Sequence, residues 1–114
     1  MNSEEMLALA TRCEQASGPD RQLDADIYVG ADAENGSFDT AYTASLDAAL
    51  TLVPDGMVMN NGNDVRNWAF VWLDAPDYDG VPHEGRADSL PLALCAAALR
   101  ARAQSPEQLK GEGR

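Results

Sequence analysis

The fold is decided by residues 57–73, which read MVMNNGNDVRNWAFVWL. Side chains alternate along this stretch in the manner of β-strands, whereas helices repeat their apolar residues every three or four positions. The pattern predicts a short strand at 57–59, a turn in the Asn- and Gly-rich residues 60–64, and a second strand at 65–73, together a hairpin. Both sides of the second strand are apolar, which predicts that it is covered on both faces or central in a small sheet.

Helices are predicted before and after this hairpin from apolar residues at helical spacing and from capping residues. The first is predicted over 3–16, and the second over 20–30, beginning at an Asp that can cap it. The third, with the clearest pattern, covers 45–53, and its predicted apolar stripe consists of Leu46, Ala49, Leu50 and Val53. The last covers 89–104, with its two arginines close to its C-terminal end.

The sequence of 114 residues is thus predicted to form an α+β domain, residues 1–104, in which three to four helices pack on a small antiparallel β-sheet. Residues 105–114 contain few apolar side chains and are predicted to form a mobile tail. Two acidic segments are predicted outside the helices and the hairpin. Residues 31–40 are predicted as a loop or a weak hairpin around Asn35-Gly36, and residues 74–88 as a long exposed loop with a short edge strand near Arg86.

Charge is the most unusual property of the chain. The sequence has 19 Asp and Glu residues and 8 Lys and Arg residues, a formal net charge of -11. The stretch from Asp20 to Asp88 holds this whole surplus, with fourteen acidic and three basic residues. Binding to nucleic-acid phosphates or to an anionic membrane is therefore not expected, because both depend on basic residues. The sequence shows neither a secretion signal nor a stretch able to span a membrane, which predicts a cytoplasmic protein.

Residues that usually carry catalysis or bind metals are few and scattered. The single histidine, His83, lies in a predicted loop without the further ligands of a zinc site. Cys13 and Cys95 fall on the apolar sides of the first and last helices and are predicted to be reduced and buried. Residues 74–80 suggest a calcium loop, but position 86 is Arg where the EF-hand pattern requires Glu. We therefore predict no catalytic residue, no metal and no cofactor.

Three aromatic residues, Trp68, Phe70 and Trp72, point to one side of the second strand. Aromatic residues on sheets stack nucleobases in some proteins, but such surfaces also contain Lys and Arg, which are missing between these positions. A packed core face is the preferred interpretation, and an apolar contact patch for a partner protein is the alternative. Tyr78, in the predicted exposed loop, suits a partner contact better than the strand aromatics do.

Three segments have a familiar order and spacing: LALA at 7–10 with CE at 13–14 and GPDRQLDA at 18–25, YTASLDAALTLVP at 42–54, and PLALCAAALRA at 91–101. Together they cover about a third of the chain and resemble the phage ABA-sandwich domain family of small phage and prophage proteins. The resemblance implies helices packed on a small antiparallel sheet and a phage or prophage source. It implies no catalytic residues, because the family largely lacks an assigned function. The departures lie at 28–40 and 74–88, where this protein's own specificity is expected.

The expected function is that of a small acidic, non-enzymatic phage protein that binds a host protein or protein complex with a basic surface. The leading hypothesis is a stoichiometric inhibitor or modulator of a bacterial nucleic-acid-binding machine, anti-CRISPR-like, whose carboxylates take the positions of phosphates in a basic groove. Two residues of the second helix, predicted to face water, and eight residues of the acidic loops are the candidate contacts: Asp24, Asp26, Asp32, Glu34, Asp39, Asp74, Asp77, Tyr78, Asp79 and Glu84.

Other interpretations stay open. A phage accessory domain that binds a host or virion protein without imitating nucleic acid is expected to show little dependence on salt. A small-molecule-binding domain or an enzyme using carboxylates requires a concave pocket with at least one acid of raised pKa. The acidity also has the simple interpretation of solubility, and the formation of a homodimer is left open.

Overall fold

The computed structural model describes residues 3–31, 40–53, 57–64, 66–73 and 82–112, and their side chains apart from those of residues 3, 31, 73 and 104–112. These ranges contain four helices and three strands in the order α1 (Ser3–Gln15), α2 (Arg21–Ala31), α3 (Leu46–Leu50), β1 (Met57–Asn63), β2 (Asn67–Leu73), β3 (His83–Ala87) and α4 (Leu90–Glu112). The predicted α+β class, with helices on a small antiparallel sheet, is confirmed.

The three strands form one sheet in the order β1-β2-β3. β1 pairs with β2 along its whole length, with Met57 opposite Leu73 and Asn63 opposite Asn67, which confirms the hairpin. The turn is shorter than predicted, because residues 60–63 continue β1 despite their turn-forming composition. β3 pairs with the other side of β2, so β2 is the central strand and β3 is the edge strand expected near Arg86.

The centre of the molecule is α4. Every residue from Leu92 to Leu99 is fully buried, so the helix is enclosed on all sides rather than on the one face that was predicted. Many of these residues are alanines, which allow neighbouring elements to approach closely. β3 does so at Gly85, where a Cβ atom would lie 2.2 Å from the carbonyl oxygen of Ala93.

Capping residues set where the shorter helices begin. Asp20 accepts a hydrogen bond from the Leu23 N–H at 3.0 Å at the start of α2, and Ser45 accepts one from the Ala48 N–H at 3.2 Å at the start of α3. α3 is shorter than predicted, because the chain after Leu50 tightens into three-residue hydrogen-bonded turns. This change buries Leu52 and leaves Leu50 39% exposed, so the predicted apolar stripe is only partly correct.

α4 is longer than predicted, since it continues to Glu112. Arg100 and Arg102 therefore lie in the middle of the helix and not near its C-terminal end. The predicted tail overlaps the last turns of this helix, and its mobility stays a prediction. None of the helices in the described ranges is long and apolar enough to cross a membrane.

Candidate protein-binding surface

The sheet has one face against the helices and one face directed away from them. Ala69 and Val71 of β2 are fully buried on the side of α4, so the alternating residues Trp68, Phe70 and Trp72 lie on the opposite face. We call this surface the outer face. It consists of these three half-buried aromatic residues and their neighbours on β1, namely Val58, Asn60 and Gly62.

The prediction that the aromatic row is a packed core face is wrong for the part of the chain that the structure describes. α2 packs on α1, α3 packs on α4, and α1 contacts the sheet mainly at β3, so no described helix packs across the outer face. The inner face carries small side chains instead. Gly85 of β3 lies so close to α4 that a Cβ atom would clash with the backbone of Ala93, and the buried residues of β2 are Ala69 and Val71.

The outer face is held in a fixed shape by close contacts between its own residues. A Cβ atom at Gly62 would lie 2.5 Å from Cζ2 of Trp68, so the indole ring lies directly over the glycine backbone. The rings of Trp68 and Phe70 have their centroids 5.4 Å apart and are tilted by 54°, a favourable geometry for an aromatic pair. The face is therefore a preformed apolar surface.

Glu84 and Arg86 border the outer face on β3. Glu84 lies opposite Phe70, and Arg86 lies opposite Trp68. The two charged side chains form an ion pair between the Glu84 carboxylate and Arg86 Nε. Glu84 is one of the ten predicted contact residues, and its charge is thus compensated by a neighbour on the same strand.

The backbone of the same two residues is held by Glu14 of α1 and Arg100 of α4. Glu14 Oε2 accepts the Arg86 N–H at 3.0 Å, and Arg100 Nη1 donates to the Glu84 carbonyl oxygen at 2.7 Å. Glu14 and Arg100 also join each other through two hydrogen bonds of 2.7 Å. We call this arrangement the Glu14–Arg100 bridge. Sequence reasoning missed it, because its partners are 86 positions apart.

The bridge determines the charge states of both groups. Hydrogen bonds from Arg100 lower the pKa of Glu14, although burial acts in the opposite direction. Glu14 in turn raises the pKa of Arg100. Both groups are therefore charged at neutral pH, and the bridge is an ion pair. A lowered carboxyl pKa is the opposite of what a general acid near neutral pH requires.

Asp24 is buried, and the prediction that it faces water and a partner is wrong. The residue is 1% exposed, and its Oδ1 accepts the backbone N–H and the hydroxyl of Thr43, both at 2.8 Å. The Thr43 hydroxyl oxygen also accepts the Asp20 N–H at 2.8 Å. Buried polar groups need such partners. Asp24 therefore ties α2 to the segment before α3 and plays a structural part.

Asp26 lies at the surface, as predicted, with its side chain 36% exposed. It accepts hydrogen bonds from Arg12 Nη1 at 2.8 Å and from Gln22 Nε2 at 3.1 Å. The three described candidates, Asp24, Asp26 and Glu84, do not converge on one surface. The other seven lie outside the described residues: Asp32, Glu34, Asp39, Asp74, Asp77, Tyr78 and Asp79.

The two thiols meet in the core. Cys13 and Cys95 are free and buried, as predicted. The Cys95 thiol donates to the Tyr42 carbonyl oxygen at 3.2 Å. A hydrogen bond with Cys13, together with burial, raises the pKa of Cys95 well above its ordinary value. Cys95 is therefore a neutral packing group and a poor nucleophile.

His83 belongs to β3 and not to a loop, which corrects the prediction for this residue. It is half-buried, and burial lowers its pKa, so the imidazole is neutral at pH 7. Among the residues that the structure describes, no three His, Cys, Asp or Glu side chains are grouped closely enough to hold a metal ion.

An open groove of about 320 Å³ lies between α1 and α2. Its lining is mainly apolar and includes Leu9 and Val29, and Val29 is 51% exposed. Arg12 and Asp26 at its border are paired with each other. The described lining therefore offers apolar contact area and brings together no nucleophile with a base.

Known proteins give no counterpart for this chain: no protein-family model, no curated protein and no solved structure matches it. The resemblance to the phage ABA-sandwich domain family stays a prediction that rests on the three segments described above.

Proposed function

We propose that this protein is a non-enzymatic binding domain that attaches through its outer face to a basic surface of a partner protein. The observation that carries the proposal is the row of Trp68, Phe70 and Trp72, half-buried on the side of the sheet away from the helices, in which Trp68 and Phe70 form a close aromatic pair. Aromatic side chains dominate the binding energy of many protein interfaces. The net charge of -11 selects a basic partner, since opposite charges steer association and like charges oppose it.

The arginines near the outer face support a basic partner over an acidic one. Arg86 pairs with Glu84, Arg100 with Glu14, and Arg66 Nη2 lies 3.5 Å from Asp88 Oδ1. Because these arginines already contact carboxylates of the same chain, they present little free positive charge to nucleic acid or to an acidic protein. The charge that a partner encounters is therefore mainly the negative charge of the chain.

The form of this function that we propose first is inhibition or modulation of a nucleic-acid-binding machine. A protein surface that attracts phosphates also attracts a strongly acidic domain, so occupation of that surface excludes nucleic acid. The phage or prophage source implied by the sequence resemblance is compatible with an anti-CRISPR-like antagonist of a bacterial defence complex.

A second candidate is attachment to a partner without imitation of nucleic acid. It is favoured by the described carboxylates themselves, since Asp24 is buried and Asp26 and Glu84 are paired with arginines. In this candidate the aromatic residues supply the affinity, and charge only speeds the approach of the partner.

The test is a comparison of three baits in bacterial lysate: the wild-type chain, Trp72→Ala and Val29→Ala. The Val29 variant is the matched control, because it removes an exposed apolar side chain from a different surface. We expect a protein that is captured by the wild type and by Val29→Ala and is lost with Trp72→Ala, while circular dichroism shows that all three baits are folded. A partner retained equally by all three baits contradicts the proposal, and so does the absence of any partner.

The purified partner then separates the two candidates. For competition in a nucleic-acid groove, affinity falls steeply as salt rises, and added double-stranded DNA or RNA displaces the protein. For attachment without imitation of nucleic acid, the affinity changes little with salt and nucleic acid binds alongside the protein.

A further inference from the structure

The two edge strands of the sheet, β3 and β1, differ in which side chains bind their outward backbone groups. On the outer edge of β3, the Arg86 N–H and the Glu84 carbonyl are bonded to the side chains of Glu14 and Arg100. A strand edge occupied in this way cannot add a further strand, which is a common protection of exposed edges. At the other side of the sheet, β1 is the last strand in the part of the chain that the structure describes.

The bonds on β3, together with the strand register, show which backbone groups of β1 point away from the sheet. In an antiparallel sheet the N–H and C=O of one residue point to the same side, and successive residues alternate. Glu84 and Arg86 point away from β2, so the register across β2 directs Asn60 toward β2 and directs Met59 and Asn61 outward. The Asn61 N–H agrees with this assignment, because it donates to the Asn60 side-chain Oδ1 at 2.9 Å instead of to β2.

We infer that the outer edge of β1 docks an extended basic segment of the partner protein, which adds to the sheet as a fourth strand. The inference rests on the proposed function and specifies how the partner binds. The outward groups of Met59 and the Asn61 carbonyl supply backbone hydrogen bonds, as in other cases of strand addition. The edge is continuous with the outer face, since Val58 of β1 lies opposite Trp72.

Charge selects the occupant. A second copy of this chain also carries a net charge of -11, so two copies repel each other. A segment that contains Lys and Arg is attracted instead. Alternate side chains of an added strand point to the same face. Apolar residues at every second position therefore extend the row formed by Val58 and Trp72. The basic residues occupy the positions between them in the sequence, and their side chains point to the opposite face of the sheet.

The Asn60 side chain blocks one hydrogen-bond donor of this edge. Its Oδ1 occupies the Asn61 N–H, which a docked strand needs as a donor. Asn60→Ala therefore leaves this N–H open and strengthens docking. Asn61→Pro removes the N–H and places a ring at the edge, so it weakens docking while the bonds between β1 and β2 remain, since proline is tolerated at outward positions of edge strands.

The experiment measures amide hydrogen exchange by NMR on the full chain with a synthetic peptide of about ten residues that alternates Lys and Val, long enough to form one strand. We expect the Met59 and Asn61 amides to exchange at least about tenfold more slowly with the peptide present. A matched peptide that alternates Glu and Val gives no protection. Asn60→Ala tightens binding of the Lys-Val peptide, and Asn61→Pro weakens it.

The inference is overturned if the Lys-Val peptide shifts resonances across the acidic surface while the Met59 and Asn61 amides stay unprotected, because binding is then electrostatic only. It is also overturned if these amides become protected with rising protein concentration alone, since a second copy then occupies the edge. The wild-type exchange data decide the question even if Asn61→Pro does not fold. The two experiments can also disagree. If Trp72→Ala loses the partner in the capture experiment but the β1 amides are not protected by the peptide, the proposed function stands and only this inference fails.

Discussion

Replacement of Gly85 by alanine should destabilise the fold by forcing β3 away from α4. A Cβ atom at this position lies 2.2 Å from the Ala93 carbonyl oxygen, 2.7 Å from the Ala97 nitrogen and 2.9 Å from the Ala96 Cβ. Two of these atoms belong to the backbone of a buried helix, so strand and helix must separate by about 1 Å to restore ordinary contact distances. Overpacking of a core costs about 1–3 kcal/mol, and we expect the upper end, because no flexible side chain can move aside.

The assay is urea unfolding followed by far-ultraviolet circular dichroism, together with a thermal melt. A loss of about 3 kcal/mol corresponds to a fall in Tm of about 10–15 °C for a domain of this size. Gly18→Ala is the matched control, because no atom lies within 4 Å of the added methyl group, and it should change the free energy of unfolding by less than about 0.5 kcal/mol. Equal stability of the two variants would refute the close approach of β3 to α4.

Three further changes test the interior and the Glu14–Arg100 bridge. Glu14→Gln should lower the free energy of unfolding at pH 7 by about 2 kcal/mol, measured by urea unfolding, because Arg100 loses its charged acceptor. The pKa of Glu14 is lowered in the folded state from 4.5, so the contribution of the bridge is present above that pH and is lost as the pH falls through the lower folded value. As the pH falls below 4.5, the wild type should therefore lose more stability than Glu14→Gln, and parallel pH profiles would contradict this reasoning. Thr43→Val should cost about 2 kcal/mol, because the buried Asp24 carboxylate loses a donor, whereas Thr51→Val, at an exposed hydroxyl, should have a much smaller effect. Cys13 and Cys95 should resist a thiol-labelling reagent in the native protein and react completely in urea, as followed by mass spectrometry, and rapid native labelling would show that the core opens.

The hairpin and the helix starts could be predicted because they depend on residues close together in the sequence. Asp20 and Ser45 cap helices that begin at the next residue, and the alternation over 67–73 gives β2 directly. Residues 60–63 were predicted as turn because of their composition. Their place in β1 is fixed by pairing with β2, which overrides the local preference.

The direction of the aromatic row could not be predicted, because it depends on what lies across the sheet. Larger apolar side chains usually occupy the inner face, but here α4 lies very close to β3 at Gly85, and β2 turns the smaller residues Ala69 and Val71 toward the helix. Asp24 and the Glu14–Arg100 bridge were missed for a related reason. Their partners lie 19 and 86 positions away along the chain, and no local pattern marks them.

The alanine-rich centre of α4 has a consequence for conformational entropy. Alanine has no side-chain rotamers to lose, so burial of Ala93, Ala96, Ala97 and Ala98 orders the core at little entropic cost. These small side chains also displace little hydration water when they are buried. The side chains that release the most water on burial, Trp68, Phe70 and Trp72, remain partly hydrated on the folded domain. A partner that covers them gains a hydrophobic contribution that folding has left available.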